Sequence, residues 1–174
     1  MILGYSDYVG LPIYASGVKH IATGWYENTR KFDRNNFYQK EGMRRPNKRY
    51  YSSKLLNSIL LIPELQMVQE RNLLGSVLSQ TNYDHFMYND LAGSLWTDTY
   101  SCLSRWEAEA QIIKEMDAID TIPEKVDLMK NKIFEAKTRY STLPEDYFDS
   151  KSKSTHLDMW LGGLNEFEQR IEGM

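Results

Sequence analysis

Cysteine is almost missing from this chain. Cys102 is the one thiol in 174 residues, so no internal disulfide can form and no oxidising compartment is needed. It stands in an apolar stretch with helical spacing, which marks it as a small buried hydrophobe rather than a reactive thiol. Long apolar runs are missing too. The longest, Ile59 to Pro63, falls far below the roughly 20 residues of a membrane-spanning helix. Residues 1–7 lack both the basic flank and the apolar stretch of a secretory signal. These absences lead to the expectation of a cytoplasmic protein without a membrane partner, or one in a particle assembled in the cytoplasm.

Histidine is scarce as well: His20, His85 and His156 lie in unrelated contexts. None has a second histidine or cysteine at metal-ligand spacing. The Glu-x-x-His signature of di-iron helical bundles does not occur, nor does a glycine-rich phosphate loop, a dinucleotide fingerprint or a nucleophile elbow. Asp84-His85, with Tyr83 and Tyr88 nearby, is the nearest thing to an acid/base cluster, and a solvent-facing histidine near a helix start explains it equally. Glu107, Glu109, Glu115, Asp117 and Asp120 resemble a carboxylate array but are expected on the solvated face of a helix. The expectation is a non-enzyme with no cofactor, no metal and no small-molecule substrate.

What is present is ordinary globular composition, with 41% hydrophobic and 26% charged residues, and an unusual aromatic share containing 12 Tyr and 4 Trp. The length suits one domain. The net charge of −3 conceals a division. Residues 1–54 carry ten Lys/Arg against four acids, a balance of +6, whereas residues 55–174 carry eleven against twenty, a balance of −9. Such a molecule can offer one end to an anionic partner, or pair with itself or with copies of itself.

The two regions also differ in local grammar. Gly4, Gly10, Pro12, Gly17, Gly24, Gly42 and Pro46 punctuate the first 50 residues, which read as an irregular N-terminal arm. Val9–Tyr14 and Val18–Tyr26 are candidate short strands, with room for one hairpin. The fold class expected is mainly α: a basic, aromatic-rich arm over 1–51, then a four- to five-helix bundle over 52–174. Ser52 or Ser53 caps a first helix through Leu55, Leu56, Ile59 and Leu60, which ends at Pro63. Pro63 opens a second carrying Leu65, Val68, Leu74, Val77 and Leu78. A third buries the stripe Trp96, Tyr100, Leu103, Trp106, Ala110, Ile113 and Met116. Thr121-Ile122-Pro123-Glu124 forms a capping box for a fourth, with Ile122, Val126, Met129, Ile133, Phe134 and Tyr140 on one side. Thr142-Leu143-Pro144-Glu145 repeats the box before a shorter segment. A last helix, capped by Ser154 or Thr155, carries Leu157, Trp160, Leu164, Phe167 and Ile171. Gly162 and Gly163 interrupt it at about 1 kcal/mol each relative to alanine; close approach of another helix, or a kink, would account for them.

Arg30 to Lys54 is the segment with the least ordinary make-up, since basic residues alternate there with Phe32, Phe37, Tyr38, Tyr50 and Tyr51. Arg30, Lys31, Arg34, Arg44, Arg45, Lys48, Arg49, Tyr50 and Tyr51 are the candidate partner-binding residues. Arg and Tyr favour protein interfaces, so the expected partners are proteins or copies of the same chain. Cations alternating with aromatic faces also suit single-stranded nucleic acid, although an acidic domain is unusual for that role. A structural or assembly protein, such as a virus or bacteriophage particle component, is therefore the leading expectation. A nucleic-acid-binding or regulatory module comes second, and a small inhibitor or immunity-type protein third.

Overall fold

The computed structural model describes residues 2–4, 6–22, 47–89, 91 and 95–173. Strand β1 (Ile2–Gly4) runs parallel to β2 (His20–Ala22), with helix α1 (Gly10–Ala15) between them. Strand β3 (Arg49–Ser52) pairs antiparallel with β4 (Asn57–Leu60), Tyr50 opposite Ile59 and Tyr51 opposite Ser58. A tight π-turn (Leu61–Leu65) leads into three short helices, α2 (Gln66–Glu70), α3 (Leu74–Val77) and α4 (Phe86–Asn89). Three long ones follow: α5 (Asp98–Asp117), α6 (Ile122–Tyr140) and α7 (Thr155–Glu172). The protein is mainly α, with a bundle-like C-terminal region and two small sheets among the described residues.

Helices α6 and α7 run antiparallel, and ion pairs tie the long helices to one another. Lys132 reaches Glu115 across α5 and α6 at 2.6 Å; Lys130 meets Glu168 at 2.5 Å and Lys137 meets Asp158 at 2.6 Å across α6 and α7. Thr97 caps α5 by accepting from the Tyr100 amide, and Thr121 caps α6 by accepting from Glu124 N at 3.4 Å. At Thr121 the expected box closes differently: the hydroxyl donates to the Glu124 carboxylate at 2.6 Å.

The N-terminal residues are built into the body. Val9–Tyr14, expected as a strand, lies in the turn into α1 and in α1 itself, where Leu11 and Ala15, one turn apart, enter the main core. A Cβ on Gly10 would stand 2.5 Å from Ser6 Oγ and 3.3 Å from Ile21 Cδ1, so this glycine lets α1 lie close against its neighbours. Gly17, at φ +95°, turns the chain out of α1. The expected division at 51/52 falls inside β3, whose residues pack along α5.

The expected first bundle helix is instead a turn and strand β4. Leu55, Leu56, Ile59 and Leu60 are all buried, and a strand covered on both faces gives a continuous apolar run that mimics a helical stripe. Leu56 takes φ +53° in the turn, outside the helical region. The expected second helix is broken into α2 and α3, with Asn72 at φ +57° in the gap. Thr142 starts no helix; its hydroxyl donates back to Arg139 O, and only a 3-10 turn (Glu145–Tyr147) follows.

Helix α5 buries a different face from the one its aromatic spacing suggested. Cys102, Ser104, Arg105, Ala108, Glu109, Ile112 and Met116 point inward, while Trp106 and Ala110 are exposed. Glu109, expected in solvent, is buried one turn from Arg105, with Arg105 Nε 3.8 Å from Glu109 Oε1. The reason is tertiary: β3 crosses this helix, and small or hydrogen-bonding side chains fit beneath it. Ser101 and Ser104 bond to Arg49 O and Thr81 Oγ1 there.

Candidate partner-binding site and the polar network behind it

Of the nine candidate residues, Arg30, Lys31, Arg34, Arg44 and Arg45 lie outside the described residues. Lys48 is exposed, and its carbonyl accepts from Leu61 N at 3.0 Å. Arg49 is turned into the fold. Its guanidinium donates to Ser58 O (2.9 Å), Ser152 Oγ (3.0 Å) and Asp149 Oδ1 (3.1 Å), which joins β3 and β4 to the 3-10 turn Ser150–Ser152. Its own carbonyl accepts from Trp96 Nε1 and Ser101 Oγ, both at 3.1 Å.

Tyr50 and Tyr51 are corrections to the sequence reading, because neither is at the surface: Tyr50 is 0% exposed and Tyr51 2%. Successive strand residues face opposite ways, and both faces of β3 are covered. On one, Tyr50 packs near Trp96, donates to Asp84 Oδ1 at 2.8 Å and accepts from Ser79 N at 2.7 Å. On the other, the Tyr51 ring stacks on Tyr8 at 4.7 Å, and the Tyr8 hydroxyl bonds to Ser58 Oγ. Burial, reinforced by the Asp84 charge, raises the Tyr50 phenol well above its usual range, so it remains a neutral donor.

Asp84 is therefore a structural hub. Besides Tyr50, it accepts from Gln80 N (2.6 Å), Thr81 N (3.2 Å) and Thr81 Oγ1 (2.8 Å). His85 points out to solvent, with Nδ1 2.9 Å from Asn82 O. A second hub is Glu64, fully buried, whose carboxylate accepts from Leu60 N at 2.6 Å and Asp149 N at 2.5 Å. A third joins Asn57 to α6 and the approach to α7. Its amide donates to Tyr140 Oη, Lys151 O and Lys153 O, while Tyr140 donates to Ser152 O. Burial raises the Tyr140 phenol as well.

His156 closes this side of the molecule. Its Nε2 lies 3.1 Å from Leu56 O and its Nδ1 3.2 Å from Lys153 O, with the ring edge-on to Trp160. Burial lowers its pKa from 6.5, against the opposing pull of the two carbonyls. Sequence reasoning missed Glu64, Asn57 and Tyr140 as polar anchors. No local spacing marks them, because each partner lies on another element.

These networks hold the fold. Among the described residues, no group of three His, Cys, Asp or Glu side chains is placed to hold a metal ion, and no helix is long and apolar enough to cross a membrane. No family model, curated protein or solved structure matches the chain. What the described residues fix about the basic segment is how it is tethered. The described residues on either side of it are Ala22, in β2, and Asn47, just before β3, and both strands belong to the packed fold.

Proposed function

We propose that this is a non-enzymatic structural or assembly protein whose basic, aromatic-rich segment grips acidic protein surfaces, on partners or on further copies of the chain. A component of a virus or bacteriophage particle is the specific form of this reading. The charge division carries it: a +6 first third joined to a −9 remainder gives each copy a complement for the next. Anchorage supports the reading, since β2 and β3, which flank the segment in sequence, both belong to the packed fold. Arg49, Tyr50 and Tyr51 serve the fold, so the contacts fall to Arg30, Lys31, Arg34, Arg44, Arg45 and Lys48.

Light scattering at two salt concentrations tests this. At about 0.05 M salt the mass exceeds one chain, and at about 0.5 M, where screening is short-ranged, it falls toward one chain. A variant with Arg30, Lys31, Arg34, Arg44 and Arg45 changed to Gln stays at one chain in both. A single chain throughout for the natural sequence ends the self-assembly form of the reading. The alternation of cations with Phe32, Phe37 and Tyr38 favours one alternative, single-stranded nucleic acid. It takes over if the chain binds an oligonucleotide at low salt and the same variant flattens the salt dependence.

A further inference from the structure

We draw no further inference here: the strongest candidate, the His156 ring set between Leu56 O and Lys153 O where the β3–β4 turn meets the first turn of α7, carries nothing because the direction in which proton uptake would move this junction rests on the pKa of that one ring alone.

Discussion

At the scale of single residues, the molecule depends on buried acceptors with several donors each. Glu64 is the sharpest case, because one carboxylate satisfies two backbone amides from segments far apart in sequence. Glu64→Ala strands both amides, and each charge-assisted bond of this kind contributes about 1.5–3 kcal/mol. The variant should lose about 3 kcal/mol or more in urea unfolding; a loss below about 0.5 kcal/mol would show that water replaces the carboxylate freely. Tyr50→Phe removes one donor from Asp84 and leaves Ser79 N without its acceptor, and a loss of about 1–3 kcal/mol is expected in the same measurement.

His156 gives a prediction with a sign. Its folded-state pKa lies below the ordinary 6.5 because burial disfavours the cation. The unfolded chain therefore binds the proton more readily, and the contribution of this group to stability is complete above about pH 6.5 and shrinks as pH falls below it. Unfolding midpoints at pH 7.5 and 5.5 should fall further apart for the natural chain than for His156→Asn, which does not titrate in this range. Equal shifts in the two proteins would remove His156 from the acid response.

At the scale of elements, caps and interruptions decide more than apolar spacing does. Thr97 and Thr121 both start long helices and both accept from the amide three residues on; the sequence marked Thr121 but not Thr97. Thr121→Ala should cost about 1 kcal/mol, read from thermal unfolding. The same tetrapeptide pattern at Thr142 fails because the hydroxyl is already bonded to the preceding helix and Glu145 is drawn away to Ser154 N at 2.5 Å. In α7, a Cβ at Gly162 would meet no atom of the described residues within 4 Å, so Gly162→Ala should raise stability by roughly 1 kcal/mol; a loss would mean that the helix is bent there in solution.

Strand β3 shows why periodicity misled at the site itself. Cations and tyrosines in alternation look like an exposed binding strip. Yet Arg49 holds β4 and the Ser150–Ser152 turn, and the rings of Tyr50 and Tyr51 are taken up on opposite faces of one strand. Three buried residues in a row, Tyr50 to Ser52, carry no alternating signal, and the cover comes from α5 and from residues before Gly10, both distant in sequence.

At the scale of the whole molecule, the described residues up to Ala22 belong to the body. Leu11 is 2% exposed in the main core, so Leu11→Ala should cost about 2–5 kcal/mol. Chemical denaturation checks this, and a cost near zero would restore a detachable leader.

Composition and cap chemistry alone determined the class of fold, the start point of α6, and the opposition of a cationic first third to an acidic remainder. These properties are local or additive, so the order of residues is enough to reveal them. Tertiary structure decided which face of α5 is buried, why a run of leucines became strand β4, and where Glu64, Asn57 and Asp84 find their partners. Those outcomes depend on which distant segment supplies the cover and the hydrogen bonds, and no window along the chain contains that information.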